Sequence, residues 1–243
     1  MKTNFSAIVF AVAIITASYL LSYAVINRDK AASNIQVTGL GNVNFTSDLI
    51  VWEGSFDEND NSLKNAYALL AKDKKIIKEY LIKQGVAEDE IVFKAVNTRN
   101  NNKAIYNDQG RYTGEEFLGY ILSQGVKIES HDVEKIEKVS REITELLNKG
   151  VQFYSYEPRY YYTKLADLKI EMISKATEDA HNRALKIAEN SGSELGDLVS
   201  AKMGVFQITG QNSNEDYSWG GTFNTSDKRK TASITMKLQY KVD

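Results

Sequence analysis

The sequence predicts an α+β fold in which helices pack on one face of a mainly antiparallel sheet, preceded by an N-terminal transmembrane helix. Three observations lead to this prediction. The N-terminal run is apolar, the last segment alternates between apolar and polar residues, and three segments of helical spacing each end in glycine and precede an apolar strand.

The N-terminal segment has the length of a membrane span. After Lys2 no charged residue occurs until Arg28, and the run from Phe5 to Ile26 is almost wholly apolar. As a helix this run is about 33 Å long, which matches the hydrocarbon core of a bilayer. Few residues precede the run, which favours export of the large C-terminal part.

Residues 1–30 are therefore interpreted as an uncleaved signal anchor, with a cleaved signal peptide as the alternative. Signal peptides have a shorter apolar stretch followed by a small-x-small cleavage site. Ser22-Tyr23-Ala24 fits such a site but lies inside the apolar run. We expect residues 31–243 to form one α+β domain in the cell envelope, on the periplasmic or outer side of the cytoplasmic membrane.

In the first half of the chain, changes in the spacing of apolar residues predict where strands and helices alternate. Residues 35–56 predict one long bent strand or a hairpin, with a bulge or bend at Gly39 and Gly41. A helix follows from Asn61 to Gly85, and "EIVFKAVNT" is the next strand. The apolar positions of that helix are Leu63, Ala66, Leu70, Ile77 and Leu81.

The middle of the chain predicts a second set of strands and a helix. Residues 99–114 are polar and turn-rich, which indicates a loop or the tip of a hairpin, and "EEFLGYILSQGVKIES" is a strand. The strand "VQFYSYE" ends at Pro158. The second helix closes at Gly150 and is marked by Val133, Ile136, Val139 or Ser140, Ile143 and Leu147.

The last third contains the longest helix, from about Leu165 to Ser191, closed by Gly192. "DLVSAKMGVFQI" is a strand, and residues 209–230 form a long polar loop of the kind that is either functional or disordered. The final segment predicts a half-buried strand. Its apolar positions are Ala232, Ile234, Met236, Leu238, Tyr240 and Val242.

Composition excludes several classes of function. With 30 Lys and Arg against 32 Asp and Glu, the net charge of −2 gives no field that would attract nucleic acid, and the cluster Lys228–Lys230 is too short to change this. The chain has no cysteine. It therefore has no disulfide, no thiolate nucleophile and no thiolate metal site.

The long helix repeats alanine every fourth residue, at positions 176, 180, 184 and 188. Each step of four advances about 40° around a helix, so the alanines form an inclined ridge that lets a partner backbone come close. We interpret this helix as tightly docked on the core, with Ile170, Ile173 and Ile187 on its flanks. A cofactor or lipid groove is the alternative.

The chain resembles the SIMPL-domain family. The resemblance rests on the alanine repeat running into "LKIAENSGSELGDLVS", on "IQVTGLGNVNFTSDLIVWEGSF", and on "GVAEDEIVFKAVNT" with "KGVQFYSYEP", in that family's order over residues 35–242. It implies an exported α+β protein, often homo-oligomeric, with no established enzymatic activity. The insertion at residues 209–230 is longer than in the usual pattern, which puts in doubt any family assembly contact there.

The chain has two histidines, and each has a carboxylate near it in sequence. His131-Asp132 resembles two members of a hydrolase triad, but sequence neighbours do not easily form the bond between base and orienting carboxylate, so helix capping is preferred. Glu178-x-x-His181 has the spacing of half a metal site; without a second such pair, a solvated helix face is preferred.

Two further groups carry candidate chemistry. Glu115 and Glu116 are adjacent on a strand and so point to opposite faces, unlike a glycosidase pair. Aromatic residues predict either a self-assembly or ligand surface or a covering of the core. They are Tyr156, Tyr160, Tyr161 and Tyr162 around Arg159, and Tyr217, Trp219 and Phe223 in the later loop.

The function predicted from sequence is a membrane-anchored envelope domain that acts by binding or homo-oligomeric assembly and is not an enzyme. We assign no catalytic, cofactor-binding or metal-binding residues, no cofactor and no nucleic-acid partner; the partners expected are the membrane, through the N-terminal helix, and further copies of the chain. One alternative is an envelope hydrolase of glycans or peptides, with Glu115 or Glu116 near His131 or the tyrosines. Another is a small-ligand binder using residues 209–230.

Overall fold

A computed structural model describes the backbone of residues 2–29 and 34–242, and the side chains of 7–25 and 34–242. It contains four helices and two antiparallel sheets, which confirms the α+β class. The antiparallel strands divide between two sheets. The predicted boundary between residues 30 and 31 lies outside the described residues.

The helices and strands have the following bounds. The helices are α1 (Lys2–Asp29), α2 (Leu63–Lys83), α3 (Val133–Glu142) and α4 (Leu165–Ser191). The strands are β1 (Asn34–Thr46), β2 (Leu49–Asp60), β3 (Ile91–Tyr106), β4 (Tyr112–Ser130), β5 (Phe153–Ser155), β6 (Arg159–Tyr161), β7 (Leu195–Met203), β8 (Gln207–Gly210) and β9 (Arg229–Val242). Short 3-10 turns cover Glu88–Glu90 and Ile143–Lys149.

One sheet has the strand order β1-β9-β7, with β8 also paired to β9, and the other has the order β3-β4-β2-β5, with β6 also paired to β2. The chain forms two compact units: the first comprises residues 1–42, 169–206 and 233–243, and the second comprises residues 43–168 and 207–232. The expectation of a single domain over residues 31–243 stays a prediction.

Helix α1 agrees with the predicted membrane span. Its segment Ala7–Val25 has a mean hydropathy of 2.2, and none of it is buried. Length and composition are therefore sufficient for crossing a membrane, a property that signal sequences share.

In the second unit, α2 and α3 lie on one face of the five-stranded sheet, as predicted. The alternate residues Ile50, Trp52 and Phe56 of β2 are fully buried against them. The helical contribution to this core comprises Ala66, Leu70, Ile77, Tyr80 and Leu81 from α2 and Val133, Ile136 and Val139 from α3.

Two apolar positions of these helices were predicted wrongly. Leu63 is exposed at the start of α2. At the end of α3 the chain tightens into the 3-10 turn, where side chains repeat every three residues instead of every 3.6. Leu146 is therefore buried beneath Ile143, and Leu147 is 58% exposed.

The strands correct several predicted boundaries. Residues 35–56 form neither one strand nor a hairpin, because β1 and β2 belong to different sheets. The predicted loop at 99–114 is mostly strand, with its turn reduced to residues 107–111. β6 follows Pro158, and residues 204–206 separate β7 from β8 within one predicted strand.

The remaining local predictions are confirmed. Gly85, Gly150 and Gly192 follow the helical segments with φ of 83°, 77° and 74°, the left-handed conformation that ends helices. In β9 the apolar positions from Ala232 to Tyr240 are buried as predicted, and Ser233, predicted to face water, is buried as well.

In the first unit, the alanine ridge of α4 packs against β1. All four alanines are fully buried. A Cβ atom on Gly39 would overlap the backbone at Ala176 and Ala180, and one on Gly41 would lie 2.5 Å from the carbonyl oxygen of Met172. The docked-helix prediction is therefore confirmed, and the glycines of β1 provide space for the helix.

The flanks of α4 differ from the prediction. Ile170 and Ile187 are exposed, whereas Met172 is fully buried. Met172 lies one step of four before Ala176, so the buried row extends the same ridge toward the helix N-terminus.

Candidate functional site

His131 and Asp132 do not bond to each other as a triad would require. The Nδ1 atom of His131 donates to the carbonyl oxygen of Asp48 at 2.8 Å, because a carbonyl can only accept. The Asp132 carboxylate accepts the N–H of Lys135 at 3.2 Å and caps α3. Hydrogen bonding to Lys135 lowers the pKa of Asp132. The capping interpretation is confirmed.

A cavity of about 590 Å³ lies at this start of α3. Ser47 and Asp48 line it beside His131, a grouping that the sequence analysis missed because 83 residues separate Asp48 from His131. Burial alone would raise the pKa of Asp48, but hydrogen bonds from the Thr163 N–H and hydroxyl, both at 2.7 Å, outweigh it and lower the pKa.

The geometry of this cavity does not assemble a nucleophile. Ser47 is 4% exposed, and its hydroxyl has no hydrogen-bond partner among the residues that the structure describes. The Asp48 carboxylate is bonded to Thr163 and not to the imidazole. A serine, a histidine and an aspartate therefore share one cavity without the bonds by which a triad activates its serine.

Glu178 and His181 have separate environments on α4. Glu178 is exposed, as predicted for a solvated face. His181 instead lies against β9, with its Nδ1 atom 3.2 Å from the hydroxyl of Tyr240. Within residues 2–29 and 34–242, no three His, Asp or Glu side chains form a group that could hold a metal ion.

Glu115 and Glu116 lie far from the histidine cavity. Both are exposed, and Glu115 accepts a hydrogen bond from the amide of Asn102 at 2.7 Å. Fifteen residues of extended chain separate Glu116 from His131, a distance of about 50 Å along β4. The structure therefore does not form the predicted cleft between these carboxylates and His131.

The tyrosines after β5 divide between the two predicted roles. Tyr160 is buried in the core, whereas Tyr156 is exposed and bonds through its hydroxyl to Ser55 at 2.9 Å. Arg159 pairs with Glu53 on the exterior of the sheet, with 3.6 Å between the charged atoms.

A further candidate surface is a hairpin arm, which we define as residues 101–119. In the described part of the chain, β4 pairs with β2 only from Tyr120 onward, so the arm is a two-stranded ribbon of β3 and β4. The rings of Tyr106 and Tyr112 lie 6.2 Å apart near its tip. The exposed apolar residues of the arm are Ile105, Tyr106, Tyr112, Phe117 and Leu118.

Residues 35–240 match the SIMPL family, described as a protein of unknown function (DUF541). The chain belongs to the SIMPL family. A search among curated proteins finds no match. The matched range includes both the β1 glycines and the alanine ridge of α4, which form the contact that docks α4 on β1 in this SIMPL protein.

The long loop of this SIMPL protein is held by hydrogen bonds from buried side chains. The buried side chain of Gln207 donates to the carbonyl oxygen of Ser218 at 2.8 Å and accepts the N–H of Thr222 at 2.7 Å. The amide of Asn224 donates to the carboxylates of Glu215 and Asp227 at 2.5 and 2.8 Å. These bonds fix both sides of the loop.

The lysines of the basic cluster have separate partners in the structure. Lys228 pairs with Glu134 and Glu137 at 2.9 and 2.6 Å. Lys230 is buried and donates to the carbonyl oxygen of Tyr160 at 2.5 Å. The sequence contained a signal for this burial, because Lys230 is an even-numbered position of β9, like the buried apolar residues that alternate along the strand.

Proposed function

We propose that this SIMPL protein is a membrane-anchored assembly module of the cell envelope. Helix α1 anchors the chain in the cytoplasmic membrane, with the rest on the periplasmic or outer side, and copies associate through the hairpin arm. In this proposal the protein acts by binding and homo-oligomeric assembly, without catalysis.

The hairpin arm is the observation that carries the proposal. An isolated two-stranded hairpin is at best marginally stable in water, and this one exposes aromatic and aliphatic side chains. Burial of those side chains by a second copy would supply the hydrophobic stabilisation that the ribbon lacks. β3 is also the outermost strand of its sheet, so its free edge offers backbone groups for pairing.

The anchor is supported by the properties of α1. Its 19-residue apolar segment is about 28 Å long as a helix, close to the thickness of a hydrocarbon core. Every described side chain of the segment is exposed, so the protein itself does not cover this apolar surface. A bilayer would cover it.

The absence of catalysis in the proposal follows from the arrangement of the candidate groups. A hydrolase is the competing function, since Ser47, Asp48 and His131 line one cavity. The Asp48 carboxylate accepts hydrogen bonds from Thr163 and not from His131, and the carboxylates considered for glycan cleavage, Glu115 and Glu116, lie on the arm. The assembly function therefore accounts for more of the structure.

The test of assembly is the mass of the full chain in detergent, measured by light scattering. We expect a homo-oligomer for the native chain, and a shift toward the monomer for Tyr106→Ser combined with Tyr112→Ser, because both rings leave the arm. Tyr67→Ser is the matched control, since Tyr67 is an exposed ring on α2 outside the arm. A native chain that stays monomeric at high concentration, or a control that dissociates equally, contradicts the proposal.

A further inference from the structure

Trp219 is the most exposed large hydrophobic side chain in the described part of the second unit. It is 100% exposed, whereas the other tryptophan of the chain, Trp52, is 1% exposed. Tryptophan carries a large apolar surface and is highly buried on average in folded proteins. A fully hydrated indole at a fixed position therefore indicates a surface that a partner covers.

Trp219 lies in an uncharged segment, which we call the loop tip, residues 217–223 with the sequence Tyr-Ser-Trp-Gly-Gly-Thr-Phe. Phe223 is also exposed. The tip is held in shape, because Gln207 bonds to both Ser218 and Thr222, and the Ser218 hydroxyl donates to the carbonyl oxygen of Gly221 at 2.9 Å. The display of the indole is thus built into the fold.

The apolar area of the loop tip distinguishes a protein partner from a lipid bilayer. A standard protein interface buries about 800 Å² on each side, whereas aromatic side chains bury about 150–250 Å² each. One fully exposed and two partly exposed rings fall short of that area, and small residues surround them. A small group of aromatic rings on an uncharged tip instead fits the bilayer interface, where tryptophan and tyrosine concentrate at headgroup level.

We propose that the loop tip inserts Trp219 into the headgroup region of a lipid bilayer. The same chain carries α1, which is long and apolar enough to cross that bilayer and would present the tip to it at high local concentration. The inference rests on the proposed function only for this anchor and is independent of the hairpin arm. The loop tip would then be a second membrane contact of the protein.

The test uses the intrinsic fluorescence of the full chain, reconstituted into phosphatidylcholine vesicles with or without bromine on the acyl chains near the headgroup. Emission from Trp219 is obtained by subtracting the spectrum of Trp219→Phe, which keeps an aromatic ring at the tip. We expect this emission to be blue-shifted and largely lost with brominated lipid. Trp52 is buried and hydrogen-bonded to Ser155 at 3.0 Å, so its emission in the variant should be unaffected by bromine.

Flotation of the vesicles with their protein separates the two proposals. A chain that floats while Trp219 keeps a red-shifted, unquenched emission is anchored with its tip in water, and the inference is overturned. A blue shift without bromine quenching shows that another protein surface covers Trp219, which also overturns it. A chain that does not float contradicts the anchor as well.

Discussion

At the scale of single residues, Lys230 shows how a charge is accommodated inside the second unit. Its side chain is 1% exposed, and burial lowers its pKa from 10.5 to about 8, although Asp227 and Glu215 act in the opposite direction. The ammonium group bonds to the Tyr160 carbonyl oxygen and lies 5.9 Å from the ring centre of Phe223. Lys230 thus connects β9, β6 and the long loop at the cost of dehydrating a charge.

This cost predicts a particular dependence of stability on pH. Between pH 8 and 10.5 the unfolded chain binds more protons at Lys230 than the folded chain, so the free energy of unfolding rises with pH in that window. A pKa shift of this size lowers the free energy of unfolding by about 3 kcal/mol, and this destabilisation is complete below pH 8. We expect Lys230→Met to remove the rise between pH 7 and 9.5, as measured by urea unfolding in detergent.

The matched control for this measurement is Lys64→Met, since Lys64 is exposed on α2 in the same unit. The upper limit of pH 9.5 matters because burial raises the pKa values of Tyr80 and Tyr160, whose ionisation would destabilise the fold at higher pH. If the native chain and the Lys230 variant show the same pH dependence, the buried ammonium does not carry this cost.

At the scale of elements, the docking of α4 on β1 joins two sequence features that are about 137 residues apart. Alanine at every fourth position of the helix and glycine at two alternate positions of the strand remove side chains from the same contact. The backbones approach so closely that a single methyl group does not fit. The smallest residues therefore determine how this helix meets its sheet.

This contact predicts that Gly39→Ala destabilises the first unit by about 1–3 kcal/mol or more, the usual effect of overpacking a core. The new Cβ atom would lie 2.7 Å from the Cβ atom of Ala180 and overlap the α4 backbone, which cannot yield as a flexible side chain would. Thermal unfolding followed by circular dichroism measures the loss. Gly220→Ala is the control, because nothing lies within 4 Å of its added methyl group; equal effects of both substitutions would contradict the packing argument.

Elements with a local signal were predictable from sequence, and pairings between distant segments were not. The bounds of α4 and the alternation of β9 depend on neighbouring residues, so the sequence predicted them. The separation of β1 from β2 depends on their partners β9 and β4, which no local period identifies. The cavity of Ser47 and His131 was not predicted for the same reason, since its residues come from distant segments. The 3-10 turn at Ile143 was not predicted because a change of period within one helical segment leaves little trace in the sequence.

At the scale of the whole molecule, the proposed function depends on three exposed surfaces. The apolar α1, the hairpin arm and the loop tip each expose side chains that water solvates poorly. Three titratable groups near the cavity and the long loop have structural partners: Asp48 bonds to Thr163, Asp132 caps α3, and Lys230 bonds to the Tyr160 carbonyl oxygen. A protein that anchors and assembles needs this distribution, whereas an enzyme needs reactive groups that converge in one place.

The proposed orientation predicts which parts of the chain a membrane-impermeant reagent can reach. The chain contains no cysteine, so one introduced cysteine is the only thiol that a maleimide labels. Gln109 lies in the exposed turn of the arm, and Thr3 precedes the apolar segment of α1. In spheroplasts, where the cytoplasmic membrane is intact, we expect Gln109→Cys to be labelled and Thr3→Cys to be labelled only after permeabilisation. Positive residues lie on both sides of the apolar segment of α1, so charge alone favours neither orientation and the labelling decides between them. Labelling of Thr3→Cys alone would place the arm in the cytoplasm, and labelling of neither before permeabilisation would remove the chain from the outer side of the membrane.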